Sequence, residues 1–234
     1  MLKWWNVGVA GTSLHHSTTF RYTQTVMAYK ILMVGPQGSG KGTQAELLAK
    51  HLGIPAFSMG QLCRDAVAAE TERGLKIDAI LKAGNLVSDQ DAAELLQERL
   101  AYPDAKDGYI LDGYPRNAAQ RAAFDFDTPT HVIVIEVPRE ESLKRLGGRL
   151  TCVKCGRVAS VAAGANIGDV CVCGSTFAQR SDDTPEAINR RLDIYENDTQ
   201  PVISQYDAQG LVRRVDGVGS VEEVQQRILD AIGK

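Results

Sequence analysis

Short apolar runs and segments with helical spacing alternate along most of the chain. The runs YKILMVG (29–35), GYILDG (108–113) and VIVIEV (132–137) are rich in β-favouring residues and predict buried strands. Residues 43–53 place apolar side chains at helical spacing and end in glycine, which predicts a helix after the first strand. Strands separated by helices indicate an α/β fold, in which a parallel sheet carries helices on both faces.

Weaker signals extend this alternation to the end of the chain. They predict a short strand at 54–57, helices near 60–70 and 74–83, a helix after Pro138, a helix beginning at 183–186 and a last strand at 211–217. Ser88 with Asp91, and Ser220 with Glu223, have the spacing of a capping box and predict two further helix starts. Residues 150–180 lack a strong helical pattern, so we expect an insertion there.

The composition is that of an ordinary globular protein. Of the 234 residues, 44% are apolar and 24% are charged, which allows one large domain or a core domain with insertions. The formal net charge of −3 argues against a nucleic-acid partner, because such proteins usually present a strongly basic surface. No apolar run approaches the roughly 18 residues of a membrane span, so no membrane partner is predicted.

The first 26 residues do not share the alternating pattern. They contain no acidic residue, few basic residues and many serines and threonines. A targeting leader avoids acids in the same way, but it is usually richer in arginine. We therefore expect residues 1–26 to be a disordered extension, or to precede a true start at Met27, and the folded domain to occupy 27–234.

The stretch GPQGSGKGTQ (35–44) has the glycine spacing of a phosphate-binding loop and lies between a predicted strand and a predicted helix. The glycines let backbone N–H groups close around a phosphate, and the helix N-terminus adds positive potential. Lys41 supplies a point charge for the terminal phosphates. The usual pattern then has Ser or Thr, whereas this chain has Gly42 and brings a hydroxyl only at Thr43.

With GKGTQ in place of the usual ending, the loop resembles that of the adenylate kinase family. The block DGYPRNAAQ (112–120) resembles the acceptor side of that family, as do FSMGQLCR (57–64) and AGNLVSD (83–89). The resemblance covers about 27–234 and implies a P-loop nucleoside monophosphate kinase fold. In such a fold a parallel sheet flanked by helices carries two insertions: a monophosphate-binding segment at 58–87, called here the acceptor segment, and a lid at 148–183.

The activity implied by the resemblance is reversible phosphoryl transfer from MgATP to AMP, giving two ADP. The implied ATP contacts are Gly38, Ser39, Gly40, Lys41, Gly42, Thr43, Arg149, Val158, Ala159 and Gly219. The implied AMP contacts are Met59, Arg64, Asn85, Leu86, Val87, Gly113, Arg116, Gln120, Arg180 and Arg191. The implied catalytic groups are Lys41, Arg116, Arg149, Arg180 and Arg191, and Asp112 is implied to hold Mg²⁺ through water.

The chemistry of these residue types agrees with the implied roles. Arginine is fully charged, planar and bidentate toward phosphate, and phosphoryl transfer depends mainly on alignment and charge neutralisation. The amide of Gln120 offers the donor and acceptor that match an adenine edge.

Two positions depart from the family pattern. Met59 stands where threonine is usual, and Gln61 stands where aspartate is usual. Methionine can line an apolar pocket but donates no hydrogen bond, which leaves the acceptor base open. The first alternative is therefore a UMP, CMP or GMP kinase of the same fold. The second is a nucleotide sensor with weak catalysis, against which the complete arginine set argues.

Four of the five cysteines form two close pairs, in CVKCG (152–156) and CVCG (171–174). Beside a nucleotide motif, this arrangement favours a reducing cytosol and a metal site over a disulfide framework. Four thiolates from two turns are typical of structural zinc, although C-x-C is one residue shorter than the usual spacing. The resemblance places such a metal in the lid, and the candidate ligands are Cys152, Cys155, Cys171 and Cys173. Structural Zn²⁺, another metal and free thiols stay open on the sequence alone.

Location, assembly and partners follow from the same features. A reducing compartment and the lack of a membrane segment predict a cytoplasmic protein. No pattern indicates an assembly surface, which predicts a monomer. The predicted partners are the small molecules ATP, AMP and ADP.

Overall fold

Eight strands and nine α-helices form the part of the chain that this computed structural model describes, residues 28–234. The strands are β1 (Tyr29–Val34), β2 (Ala56–Ser58), β3 (Gly108–Asp112), β4 (His131–Glu136), β5 (Arg149–Cys152), β6 (Val158–Ser160), β7 (Phe177–Ala178) and β8 (Val212–Asp216). The helices are α1 (Lys41–Leu52), α2 (Met59–Ala68), α3 (Glu72–Lys82), α4 (Asp89–Leu100), α5 (Ala118–Ala123), α6 (Arg139–Gly147), α7 (Pro185–Ile194), α8 (Gln200–Asp207) and α9 (Val221–Ala231). None of these helices is long and apolar enough to cross a membrane. The extension predicted at 1–26 lies outside the described residues.

The central sheet has five strands in the order β2-β3-β1-β4-β8, and every neighbouring pair is parallel. This confirms the predicted α/β fold with a parallel sheet. Met33 of β1 is in register with Asp112 of β3, so these two strands end at the same edge. The phosphate-binding loop after β1 and the DGYPR stretch after β3 therefore meet there.

Successive side chains of β1 enter two different cores. Leu32 and Val34 belong to a buried cluster covered by α2, α3, α4 and α8. Ile31 and Met33 belong to a second cluster, which α1 and α9 cover on the opposite face. Because helices bury the sheet on both sides, its strands read as continuous apolar runs rather than as an alternation.

Local sequence signals set several helix boundaries. Helix α1 ends at Gly53, which has φ of 69° and donates its N–H to the carbonyl oxygen of Ala49. The capping box predicted for Ser220 and Glu223 is present at the start of α9. At α4 only half of the predicted box forms: the Ser88 hydroxyl accepts from the Asp91 N–H and also donates to the Asp91 carboxylate at 2.6 Å.

Two helices of the described chain have no counterpart in the sequence predictions. Helix α5 is only six residues long, and α8 follows α7 through a π-helical turn at Tyr195–Thr199. The short strand predicted at 54–57 begins two residues later, as β2. Pro55 has no N–H to contribute to a ladder, which accounts for the later start.

The insertion predicted at 150–180 folds as a separate antiparallel sheet in the order β6-β5-β7. It follows α6 and precedes α7 in the chain. A small core of its own contains Leu150, Cys152, Cys171 and Phe177.

Candidate active site

The loop between β1 and α1 adopts backbone conformations that favour glycine. The φ angles are 151° at Gly35, 84° at Gly38 and 93° at Gly40. Space is also limited: a Cβ added at Gly35 would lie 2.4 Å from the carbonyl oxygen of Ile135, and one at Gly38 2.9 Å from that of Ser142. Backbone conformation thus favours glycine at all three positions, and packing also requires it at Gly35 and Gly38.

Lys41 begins α1 and turns its ammonium group back over the loop. Its Nζ donates to the carbonyl oxygens of Gly35 and Pro36, both at 2.8 Å. Burial lowers the pKa of Lys41 to about 8; the Asp112 carboxylate opposes this shift and Arg116 adds to it. The two carbonyl groups therefore hold the charged ammonium of Lys41 over the loop, where it favours a negatively charged ligand.

The two hydroxyl groups of the loop lie in different surroundings. Ser39 is only 1% exposed, and its Oγ has no hydrogen-bond partner in the described chain. Thr43 lies in the first turn of α1 and is half-buried. The hydroxyl that arrives late in the motif is thus two residues after Lys41 in the first turn of α1, and not on the residue that follows it.

Gly42 leaves room beside the carboxylate of Asp112. A Cβ added at Gly42 would lie 3.6 Å from Oδ2 of Asp112. The other oxygen, Oδ1, is buried and has no hydrogen-bond partner among residues 28–234. Mg²⁺ prefers oxygen ligands and keeps several of its waters, so an unpaired carboxylate close to Lys41 fits a hydrated Mg²⁺. Gly42 thus leaves Asp112, a carboxylate from the neighbouring strand, as the candidate partner of a hydrated Mg²⁺ in place of the missing hydroxyl.

Arg116 is held at its backbone and at its side chain. Its Nε donates to the carbonyl oxygen of Gly113 at 2.7 Å, and its backbone N–H donates to Oε1 of Gln120 at 2.9 Å. Burial lowers the pKa of Arg116, and Asp112 opposes that shift. The described residues provide no ion pair to this guanidinium, so its terminal nitrogens are available to an anion.

Gln120 lies in α5 and is only 2% exposed. Its side-chain oxygen supports the backbone of Arg116, and its own carbonyl accepts from the Tyr114 hydroxyl at 3.0 Å. An amide oxygen has two lone pairs, so the predicted pairing with adenine is compatible with this second use. That Gln120 also fixes the backbone of Arg116 was not predicted.

Arg64 extends from α2 in the acceptor segment. Its Nε and one terminal nitrogen donate to Oε1 of Gln61, at 3.2 and 2.7 Å. Burial lowers the pKa of Arg64 to about 10, and the positive charge of Arg180 contributes. The charge of Arg180 is therefore close enough to disfavour the protonated form of Arg64, as expected for groups that share one phosphate site.

The other residues predicted to contact AMP divide between core and surface. Met59 is 5% exposed and Val87 is 7% exposed, and both belong to the buried cluster under the sheet. Leu86 is half-buried, and the side-chain oxygen of Asn85 accepts from Nε of Arg190 in α7. The structure thus gives Met59 a packing role, which the sequence pattern did not indicate.

Three predicted arginines meet around two carboxylates near the end of the lid. Arg149 donates to both oxygens of Asp183, with Nε at 2.8 Å from Oδ2. Arg180 pairs with Asp182, with Nε at 2.8 Å from Oδ1. Arg191 contacts both carboxylates, at 3.2 Å from Oδ2 of Asp182 and 2.8 Å from Oδ1 of Asp183. The structure therefore brings together the three arginines that the sequence singled out.

The two carboxylates of this cluster were not assigned a role from the sequence. The side chain of Asp183 is 0% exposed and that of Asp182 is 11% exposed. Three guanidinium groups against two carboxylates leave this cluster with a net positive charge. In the sequence these acids are marked only by their position two and three residues after Arg180 and, for Asp183, by its place at a predicted helix start.

The lid strands place the predicted ATP contacts on two different faces. Thr151 pairs with Val158, and Leu150 pairs with Ala159. Paired residues share a face, so Ala159 lies on the side of Leu150 and packs against the core of the lid. Val158 is 49% exposed and lies on the same face of the sheet as Arg149. Any contact of Ala159 with a nucleotide would therefore involve its backbone.

The loop between β8 and α9 lies close to the phosphate-binding loop. Arg145 of α6 donates to the carbonyl oxygens of Gly217 and Gly38, at 3.1 and 3.5 Å. Gly219 has φ of 131°, and a Cβ added there would lie 2.6 Å from Oε2 of Glu223. The capping box of α9 therefore excludes a side chain at Gly219 and leaves its backbone accessible. The link made by Arg145 was not predicted.

The four lid cysteines form a single cluster. Their Sγ atoms all lie within 4.8 Å of one another, with Cys152 and Cys173 at 3.4 Å and Cys155 and Cys171 at 3.6 Å. A tetrahedral Zn²⁺ with bonds of about 2.3 Å has ligand atoms roughly 3.8 Å apart, so the cluster fits such an ion. The short C-x-C spacing is accommodated by a turn in which the Gly174 N–H donates to the carbonyl of Cys171 at 2.8 Å.

A parallel sheet, a glycine-rich loop with its lysine, and arginines converging at the same edge define a P-loop phosphotransferase. A model of the adenylate kinase family matches residues 33–211. The chain is 41% identical to the adenylate kinase of Streptomyces avermitilis over 212 residues, 87% of this chain and 96% of that protein. It is 42% identical to the adenylate kinase of Citrifermentans bemidjiense over 210 residues, 86% of this chain and 98% of that protein.

A third relative, the adenylate kinase of Syntrophotalea carbinolica, is 41% identical over 215 residues, 87% of this chain and 98% of that protein. The chain therefore belongs to the adenylate kinase family, and it is a nucleoside monophosphate kinase. This agrees with the resemblance drawn from its sequence motifs.

Proposed function

We propose that the protein transfers the terminal phosphoryl group of MgATP to AMP, reversibly, giving two ADP. One observation carries the proposal: β1 and β3 are adjacent, parallel and in register at Met33 and Asp112. The donor loop and the acceptor arginine Arg116 therefore face each other across the same edge of the sheet. Direct attack by an oxygen of the acceptor phosphate needs no covalent intermediate, which suits a site built for alignment and charge.

On the donor side, Lys41 and the backbone N–H groups of residues 38–43 would hold the ATP phosphates. The loop is fixed by glycines that tolerate no side chain at Gly35 and Gly38. Val158 of the lid and the backbone of Gly219 would lie against the rest of the nucleotide. These two contacts come from elements on either side of the loop, so they would orient ATP without touching the reacting atoms.

On the acceptor side, Arg64 and Arg116 would bind the AMP phosphate. Both guanidinium groups are oriented by neutral oxygens, those of Gln61 and Gly113, and not by carboxylates. Their charge is therefore free to attract a phosphate. Gln120, Leu86, Val87 and Asn85 would surround the adenine, with Gln120 reading its polar edge.

Arg149, Arg180 and Arg191 would stabilise the charge on the group in transfer. The hydrogen bonds to Asp182 and Asp183 fix the guanidinium groups before the nucleotides arrive. Preorganised donors of this kind cost no reorganisation during the reaction. The acids would thus position the arginines, while the arginines touch the phosphate.

Two metals fit the residues present. Asp112 would hold Mg²⁺ through its water ligands, and this ion neutralises phosphate charge when it is bound with ATP. Cys152, Cys155, Cys171 and Cys173 would hold Zn²⁺. Four thiolates leave no open coordination position, so this zinc would rigidify the lid and take no part in catalysis.

The lid and the acceptor segment would close over the nucleotides and exclude water, which would otherwise accept the phosphoryl group. The proposed domain boundaries are thus 27–234 for the kinase, with insertions at 58–87 and 148–183. The monomeric state and the cytoplasmic location stay predictions.

The test is a coupled assay of ADP formation from MgATP with AMP, GMP, UMP and CMP in parallel. We expect strong turnover with AMP alone. Arg116→Ala should lose on the order of 10²-fold or more in turnover, since positioned arginines supply large factors in phosphoryl transfer. Arg213→Ala, the same substitution on the edge strand β8, is the control and should keep full activity.

Two outcomes would contradict the proposal. Preferred turnover of another monophosphate would make the protein a sister kinase of the same fold. If folded protein turned over none of the four, or if Arg116→Ala weakened only acceptor binding, the nucleotide sensor would be the better description.

A further inference from the structure

The helix that carries Arg191 does not end at Ile194 but continues through a π-helical turn at Tyr195–Thr199. The Gln200 N–H donates to the carbonyl of Tyr195, five residues back, instead of four. Pro201 follows directly, and a proline in a helix both lacks an N–H and crowds the carbonyl four residues earlier. The sequence therefore contains a local reason for the wider turn.

The π-helical turn ends against the acceptor arginine. Thr199, its last residue, is 3% exposed, and its Oγ1 donates to the carbonyl oxygen of Arg116 at 2.7 Å. These residues are 83 positions apart in the chain. Thr199 and Arg116 line the same small cavity as Lys41. Thr199 is thus next to the catalytic groups but directs its hydroxyl to the backbone of one of them.

Arg116 is consequently fixed at three points. The Gln120 side chain accepts from its N–H at 2.9 Å, Thr199 donates to its carbonyl at 2.7 Å, and Gly113 accepts from its Nε at 2.7 Å. Two of these partners belong to the stretch around Arg116 itself. Thr199 alone reaches it from the helix that also carries Arg191.

We propose that Thr199 is a positioning residue for Arg116, brought to it by the π-helical turn. This rests on the proposed role of Arg116 in binding the acceptor phosphate. Loss of the hydroxyl would leave a partly buried carbonyl without its Thr199 partner and let the peptide of Arg116 rotate. An error of about 1 Å in such a group is enough to reduce turnover strongly. The helix would thereby set Arg116 and Arg191 in a fixed relation to each other.

The test compares Thr199→Val, which keeps the shape and removes the hydroxyl, with Thr199→Ser, which keeps the hydroxyl. We expect Val to raise the KM for AMP on the order of tenfold, with the KM for ATP within about twofold of wild type. Ser should stay within about threefold of wild type in both constants. Melting temperatures are measured for each variant, since a purely structural role would lower stability without separating the two KM values.

Equal KM values for Val and wild type would overturn the proposal, as would equal losses in Val and Ser. If Val does not fold, Thr199→Ala replaces it under the same criteria. Binding of AMP is also measured in the Arg116→Ala background, where Thr199→Val should have no further effect. A persistent effect there would show that Thr199 acts by another route. No effect of Arg116→Ala itself would contradict the proposed role of Arg116 and not the contact with Thr199.

Discussion

Gly156 of the lid lies directly against Gln61 of the acceptor segment. A Cβ added to Gly156 would be 2.9 Å from Oε1 of Gln61, the atom that accepts both hydrogen bonds from Arg64. Gly156 closes the first cysteine turn, where its N–H donates to the carbonyl of Cys152 at 3.1 Å. The Gln61 side chain therefore connects the cysteine turns of the lid with an arginine proposed to bind the acceptor phosphate.

We expect Gly156→Ala to raise the KM for AMP several-fold. The added methyl would displace the Gln61 amide and with it the guanidinium of Arg64. Because Gly156 has φ of 73°, the substitution also strains the backbone by about 1 kcal/mol. Gly164→Ala is the matched control: it lies in the lid at φ of 88°, but a Cβ there would meet nothing within 4 Å.

The contact and the strain can then be separated by steady-state kinetics. Only Gly156→Ala should change the KM for AMP, and adding Gln61→Ala should remove the difference between the two glycine variants. An equal effect of both glycine variants would show that backbone strain, and not contact with Gln61, is responsible.

Affinity for ATP should fall as the pH rises through about 8. The ammonium form of Lys41 is the one that binds phosphate, and burial lowers its pKa to about 8 from 10.5. The dissociation constant of ATP, measured by calorimetry between pH 6.5 and 10, should therefore rise above pH 8. Lys41→Met should bind weakly at every pH, whereas Lys50→Met, on the exposed side of the same helix, should behave as wild type. A flat profile in the wild-type protein would contradict this assignment.

The lowered pKa of Lys41 also affects stability: affinity for ATP should fall as the pH rises, but the free energy of unfolding should rise. Between pH 8 and 10.5 the unfolded chain holds the proton of Lys41 and the folded chain does not. The contribution of this lysine to the free energy of unfolding therefore increases as the pH rises across that window. We expect chemical denaturation at several pH values to show the free energy of unfolding of wild type rising relative to that of Lys41→Met between pH 8 and 10.5.

Asp183→Asn should destabilise the protein by roughly 3 kcal/mol, because it leaves buried guanidinium groups without their counter-charge. The Asp183 side chain is 0% exposed and pairs with both Arg149 and Arg191. Asp193→Asn is the control: this carboxylate is 57% exposed and pairs with Arg139. Its loss should cost less than about 1 kcal/mol. Similar free energies of unfolding for the two variants would contradict the role of Asp183 as a buried counter-charge.

The purified protein should contain one Zn²⁺ per chain, measured by plasma emission spectroscopy. Cys171→Ser should lose the metal and lower the melting temperature, because the lid has only a small apolar core of its own. Cys63→Ala should keep the metal, since Cys63 is buried in α2, outside the lid. Less than about 0.2 equivalents in protein never exposed to chelator would exclude a resident metal.

Much of the fold was readable from the chain because its signals are local. The apolar runs of β1, β3 and β4 are buried on both faces, and a parallel sheet follows from strands that alternate with helices. The phosphate-binding loop was predictable for the same reason: its glycines and its lysine lie within residues 35–41, directly between the predicted strand and helix.

Long-range contacts supplied what the sequence could not. The chemistry of Met59 allows it either to line a pocket or to fill a core. The structure buries its side chain in the core under the sheet. The carboxylates Asp182 and Asp183 became part of the site because the end of the lid lies beside its first strand, which carries Arg149. Ala159 and Val158 are neighbours in sequence, yet strand alternation sends them to opposite faces of the lid.

The sequence by itself thus determined the sheet, the donor loop, the arginines proposed to bind phosphate and the four cysteines, since each is encoded within a short window. The tertiary structure alone decided how Arg116 is held by Thr199, how Arg64 is tied through Gln61 to the lid, and which carboxylates orient the remaining arginines. Those relationships join residues tens of positions apart, and their geometry exists only once the chain has closed on itself.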